Sequence, residues 1–137
     1  MKNTKKLELQ LKILSLKAAI LGLMIRLFGL RKKKKVLSRD EIGNIIMDIA
    51  IKEGVSPMLA YKVAKCESNL NPNAKNWCGK YGWDRGLYQW NEYWHPEVSD
   101  TCAYDVKCST RAFCKAVKAG HLSWWNPSKK CWKSALA

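Results

Sequence analysis

Acidic residues are scarce at the start of this 137-residue chain, and long uncharged hydrophobic runs, histidines and closely paired cysteines are scarce throughout. Residues 1–35 hold eleven Lys/Arg against one acid, Glu8. Their apolar stretch, Leu7 to Leu30, is broken by Glu8, Lys12, Lys17 and Arg26, and its longest uncharged run, Ala18–Ile25, has eight residues. A confident membrane-spanning helix wants about twenty. The only histidines are His95 and His121, and no Cys-x-x-Cys occurs among the six cysteines. That argues against a zinc site, and neither a metal nor a cofactor is expected. There is no internal repeat and no low-complexity tract beyond a lysine run, and the length supports one folded domain.

What is present is a lopsided charge. The formal net charge is +14, yet residues 36–137 carry 14 basic and 10 acidic side chains, so most of the excess belongs to the leader. A nucleic-acid binder would cluster basic residues on its folded part as well, so no nucleic-acid partner is expected. A polyanionic surface, such as anionic lipid or cell wall, accounts for the charge as well. The six cysteines all lie between Cys66 and Cys131. An even count in a domain of about 100 residues points to disulfides and an oxidising, extracytoplasmic compartment.

The chain divides into a leader, residues 1–37, and a domain, residues 38–137. In the leader, Glu8, Lys12, Ser15, Ala19, Gly22 and Arg26 follow one another at helical steps of three and four, with leucine, isoleucine and methionine around them. This is an amphipathic helix with a wide apolar face. It suits a membrane interface, aided by the Arg31–Lys35 linker, but also an uncleaved signal anchor or a coiled-coil partner. An anionic membrane surface is the expected partner of residues 1–37.

In the domain, Ser38-Arg39-Asp40-Glu41 forms a capping box ahead of Ile42, Ile45, Ile46, Ile49 and Ala50 at helical spacing, with Gly54 as the stop. Ser56-Pro57 opens a second helix through Leu59, Tyr61, Val63, Ala64 and Cys66, ended by Asn71-Pro72. From Asn73 to Trp94, glycine, asparagine and aromatics indicate a small β-hairpin or irregular sheet. Asp105 or Ser109 caps a third helix stopped by Gly120, and a short closing helix runs through Trp132. The fold class is α+β, mainly helical, with a small β-hairpin region and a preceding amphipathic helix.

Two carboxylates stand out. Glu67 falls in the last turn of the second helix, a rigid base for an acid, and Asp84 follows 17 positions later among glycines, tryptophans and amides. Two acids in contrasting surroundings, beside aromatics and amides, are what glycosidic bond cleavage needs. Each has a plainer reading: Glu67 as a solvated helix-end acid, Asp84 as a cap on the turn before Gly86. Gln89 and Asn91 offer amides to N-acetyl groups and hydroxyls, although Gln89 can equally bond the hairpin backbone. Tyr88, Trp90 and Trp94 offer flat apolar faces to sugar rings, although seven tryptophans in a small domain cannot all be ligand platforms.

Ala64-Lys65-Cys66-Glu67-Ser68-Asn69-Leu70-Asn71, Asp84 through Asn91, and the run Gly120 … Trp124 … Cys131 resemble animal-type lysozymes. Glu67-Ser68 … Asn71-Pro72 followed by Gly86-Leu87-Tyr88-Gln89 is also similar to bacterial soluble lytic transglycosylases. The resemblance to this lysozyme-like superfamily covers about Asp40 to Trp132. It implies a muramidase that cleaves the β-1,4 bond between N-acetylmuramic acid and N-acetylglucosamine in peptidoglycan glycan strands. Glu67 would be the general acid, its proton kept by desolvation, with Trp124 as the shielding aromatic. Asp84 would be the ionised partner, and Tyr88, Gln89, Asn91, Trp94 and Trp124 would bind substrate. The alternatives are a non-hydrolytic lytic transglycosylase and a non-catalytic cationic wall- or membrane-binding protein. The chain departs from the animal pattern at His95, where those lysozymes often carry a second Trp, and in its cysteines. A Cys102–Cys108 bridge follows from proximity, and Cys66, Cys78, Cys114 and Cys131 then leave three connectivities open.

Overall fold

The Ser38 hydroxyl accepts the amide of Glu41 at 3.2 Å, and the Glu41 carboxylate accepts the amide of Ser38 at 2.8 Å. Satisfying two orphan amides in this way stabilises a helix start by about 1 kcal/mol. It begins α2 (Arg39–Glu53), which ends on Gly54 in the left-handed region, φ 71°. The computed structural model describes residues 2–28 and 35–136. It forms two units, residues 1–36 and 37–137.

In the first unit, α1 (Lys2–Leu27) is one continuous helix. Its described leucines and isoleucines are exposed from Leu7 to Ile25. Among the described residues no helix is long and apolar enough to cross a membrane. The linker expected at Arg31–Lys35 lies, apart from Lys35, outside the described residues.

The second unit is mainly helical with a small antiparallel sheet. Ser56 caps α3 (Pro57–Ser68), with Pro57 in its first turn. The helix stops two residues earlier than Asn71-Pro72 suggests, because Asn69 (φ 53°) and Leu70 (φ 59°) both turn left-handed. Asn tolerates that region; a leucine held there is uncommon.

The small hairpin or irregular sheet expected from Asn73 to Trp94 is a three-stranded antiparallel sheet, β1 (Lys75–Trp77), β2 (Trp83–Arg85) and β3 (Trp90–Asn91), in that order. Its register pairs Asn76 with Asp84 and Asp84 with Asn91. Gly86 turns the chain out of β2 at φ 70°, and a Cβ there would collide with the carbonyl oxygen of Ala103. Only glycine fits.

A one-turn helix, α4 (Asp100–Ala103), is capped by Ser99. Asp105 rather than Ser109 caps α5 (Val106–Lys118). A 3₁₀ segment over Leu122–Ser128 leads into α6 (Lys129–Trp132).

Helices α2, α3 and α5 pack around an aromatic centre. Tyr88 lies flat against Phe113, 4.4 Å between ring centroids, and Trp125 meets Phe113 and Trp90 edge-on. Every buried indole N–H is answered: Trp90 by Ser109, Trp125 by the Tyr88 carbonyl, Trp132 by the Trp125 carbonyl and Ser128. Arg85, only 4 % exposed, is neutralised by Asp100 at 2.6 Å and donates to the Trp90 carbonyl. An uncompensated buried guanidinium would be costly, so this pair ties the sheet to α4.

Two disulfides form, Cys66–Cys131 and Cys102–Cys108. Cys78 and Cys114 remain thiols, the first exposed and the second buried. Burial pushes the Cys114 thiol up to about 11.

Candidate active site

Glu67 stands at the penultimate position of α3, and Asp84 at the centre of β2. The fold brings both to one cleft of about 460 Å³, within the range of small-ligand sites. Helix end and strand centre are both rigid positions, so the two carboxylates are held by backbone rather than by loops.

Their surroundings differ. Glu67 is half-buried. Burial holds its carboxyl above the usual carboxylate range; the Ser128 hydroxyl pulls it down, and the charge of nearby Asp84 pushes it up. Ser128 donates to Glu67 Oε1, and the Trp132 indole N–H donates to Ser128 Oγ at 3.0 Å. With Oε1 taken, Oε2 is the oxygen that can present a proton to a ligand, since it has no hydrogen bond among the described residues.

Asp84 is an acceptor on both oxygens. Asn91 Nδ2 donates to Oδ1 at 2.8 Å, and the Cys78 thiol donates to Oδ2 at 2.7 Å. The bond to Asp84 pushes the Cys78 thiol up, so its proton stays on sulfur. Cys78 extends the alternation of β1 beyond Asn76, which pairs directly with Asp84. Residues 76 and 78 therefore share the Asp84 face.

The remaining residues expected to meet substrate all border the cleft, but in different ways. Trp94 is 60 % exposed, with Tyr81 and Tyr93 packed beside it. Trp124 is exposed as well, stacked on His121 with planes 1° apart and centroids 4.4 Å apart, and 4.5 Å from His95. Tyr88 is 1 % exposed; its ring is covered by Phe113 and its hydroxyl donates to the Ala60 carbonyl. Its ring is core, and burial pushes its phenol up. Asn91 spends its Nδ2 on Asp84 and its Oδ1 on the amides of Tyr93 and Trp94. Gln89, left-handed at φ 52°, accepts from Asn76 and donates to the Gly86 carbonyl. These two amides build the site more than they line it.

A helix-end acid and a strand acid thus border one cleft beside exposed aromatics. A family model for a lysozyme-like domain matches residues 48–127. This chain belongs to the lysozyme-like domain family. Comparison with curated proteins found no match, nor did comparison with solved structures. Membership is consistent with a glycosidase or lytic transglycosylase acting on peptidoglycan. The matched span holds Glu67, Asp84 and the whole sheet of this lysozyme-like domain, but ends one residue before Ser128. Motif reading passes over Ser128 and Cys78, which bond the two carboxylates, and Trp125 and Pro127, which line the cleft. Pairing Cys66 with Cys131 would have pointed to Ser128, because it draws residues near 128 to Glu67. The register of the sheet would have pointed to Cys78.

Proposed function

We propose that this protein is a muramidase that cleaves the β-1,4 bond between N-acetylmuramic acid and N-acetylglucosamine in peptidoglycan. The observation that carries this reading is the contrast between the two carboxylates on one cleft: Glu67 held above the ordinary carboxylate range by burial, Asp84 accepting two hydrogen bonds. Lysozyme is the type case of that two-carboxylate arrangement.

In this mechanism Glu67 gives its proton from Oε2 to the glycosidic oxygen as the C–O bond breaks. Positive charge builds at the anomeric carbon. Asp84 faces it, either stabilising the charge or forming the glycosyl bond. Glu67, now ionised, takes a proton from water as the water attacks the anomeric carbon, which restores both carboxylates. Trp94 and Trp124 offer apolar ring faces to the sugars.

A second reading is lytic transglycosylation, in which the C6 hydroxyl of muramic acid replaces water and a 1,6-anhydro end is left. The presence of Asp84 favours hydrolysis. A third is a non-catalytic wall-binding protein, against which the retained pair Glu67 and Asp84 stands.

The compartment proposed is extracytoplasmic, as the two disulfides suit an oxidising environment. An anionic membrane surface is proposed as the partner of residues 1–37, through exposed leucines and clustered lysines. Release of wall fragments by wild type and by Glu67→Gln tests the catalytic reading. Clearing by wild type alone supports it. Equal clearing by both removes Glu67 from the mechanism, and wall binding without clearing by either supports the third reading.

A further inference from the structure

Strand alternation puts Trp77 and Trp83 on the face of the sheet opposite to Asn76 and Asp84. Trp77 borders a second concavity of about 450 Å³, lined also by Tyr81 and Tyr93 and by Lys80 and Glu92. We propose that it is a second saccharide platform, which holds another stretch of the same polymeric glycan. The choice of sugar rests on the muramidase reading.

Three observations carry the proposal. Trp77 and Tyr93 are 61 % and 60 % exposed, so they do not serve as core. Large exposed aromatics gathered around a hollow mark an interaction site. Their orientation is maintained: Trp77 packs edge-on to Trp83 at 5.0 Å, and Tyr81 packs on Tyr93 at 5.5 Å.

The polar groups suit sugar hydroxyls. Glu92 accepts the Trp83 amide on Oε1 at 3.0 Å, and its Oε2 has no hydrogen bond among the described residues. Gly82, at φ 74°, carries no Cβ, and one built there would strike the Glu92 carboxylate. The glycine thus admits an acceptor beside the aromatic walls. Lys80, 5.0 Å from the centre of the Tyr81 ring, adds a donor. Flat apolar faces with a few oriented polar groups are what pyranose rings bind to.

The two sites are also continuous. Trp94 borders the catalytic cleft and packs on Tyr81 and Tyr93, which wall the second hollow. A polymer held at one site is presented to the other at high local concentration.

The test uses the full chain with ¹⁵N-labelled tryptophan, titrated with the trimer of β-1,4-linked N-acetylglucosamine. The indole signals of Trp77 and Trp124 are assigned through Trp77→Phe and Trp124→Phe. Saturable shifts of both signals are expected, with different affinities, and Trp77→Ala should bind insoluble peptidoglycan about tenfold more weakly than wild type. A shift at Trp124 alone overturns the platform and leaves the cleft reading standing. A shift at Trp77 alone supports the platform and removes the cleft reading. If neither moves, both fall. A Trp77 signal that moves with protein concentration in the absence of sugar assigns the hollow to a second copy of the chain and overturns the proposal.

Discussion

The Ser128 hydroxyl donates a hydrogen bond to Glu67, a residue 61 positions away, while the Trp132 indole N–H donates to Ser128 Oγ at 3.0 Å. The hydroxyl is thereby oriented from behind, and one oxygen of Glu67 is committed. This bond works against the burial that raises the Glu67 carboxyl.

That opposition has a pH consequence. A general acid must carry its proton, so kcat/KM should fall as pH rises through the Glu67 titration, which lies above the ordinary value of about 4.3. Ser128→Ala removes the bond that favours the ionised form, so the alkaline limb should move to higher pH. A pH–rate profile checks it; a limb that moves down, or not at all, removes Ser128 from control of Glu67.

The same shift affects stability. The folded carboxyl holds its proton more tightly than the unfolded one, so the fold is destabilised as pH rises from the unfolded value through the folded value, and the loss persists above it. Glu67→Gln should therefore melt at a higher temperature than wild type at neutral pH, and the gap should close in acid below the unfolded value. Thermal melts across that range decide.

Asp84→Asn keeps the shape of the strand but removes the charge facing the anomeric carbon. Turnover should drop roughly 10²–10³-fold, and mass spectrometry of wild-type products should show reducing ends. Near-normal turnover would make Asp84 a turn residue, and 1,6-anhydro ends would make the enzyme a transglycosylase.

Asn91 and Cys78 hold Asp84 from two sides. Losing one hydrogen bond of about 1 kcal/mol corresponds to a severalfold effect. Asn91→Ala should lower kcat severalfold with little change in KM, and Cys78→Ser, which keeps a donor, should stay closer to wild type than Cys78→Ala. Steady-state kinetics on wall fragments separate the two; equal losses in the serine and alanine variants would mean that the Cys78 bond is unimportant.

The Cys66–Cys131 bridge closes 65 residues of sequence and sits next to both Glu67 and Trp132. A loop of that length stabilises by roughly 4 kcal/mol, and Cys102–Cys108, closing only six, by less. The double variant Cys66→Ala/Cys131→Ala should lose more thermal stability than Cys102→Ala/Cys108→Ala, and should lose activity first. Calorimetry and residual wall-clearing measure both.

Removing residues 1–37 should weaken binding to anionic vesicles in a salt-dependent way and spare cleavage of soluble wall fragments. Co-sedimentation with vesicles at low and high salt tests it. Unchanged binding would separate the leader from any lipid surface.

Local chemistry was legible in the chain itself. Ser38 and Glu41, Ser56 and Pro57, and Asp105 act within three or four residues, so helix starts follow from short-range hydrogen bonding. Glu67 at a helix end and Asp84 in a glycine-rich turn region are likewise matters of spacing, as is the resemblance that joins them. Tertiary packing decided what those residues do. Tyr88 and Trp94 read alike as aromatics, but Phe113 covers one and solvent reaches the other. Asn91 and Gln89 read as ligand amides, but strand register turns them onto Asp84 and the hairpin. Desolvation of Glu67 by burial, the Ser128 bond that opposes it and the Cys66–Cys131 pairing, which leaves Cys78 and Cys114 as thiols, depend on groups far apart in sequence, more than sixty residues for the bond and the bridge. Periodicity cannot see such contacts, because they exist only once the helices have packed.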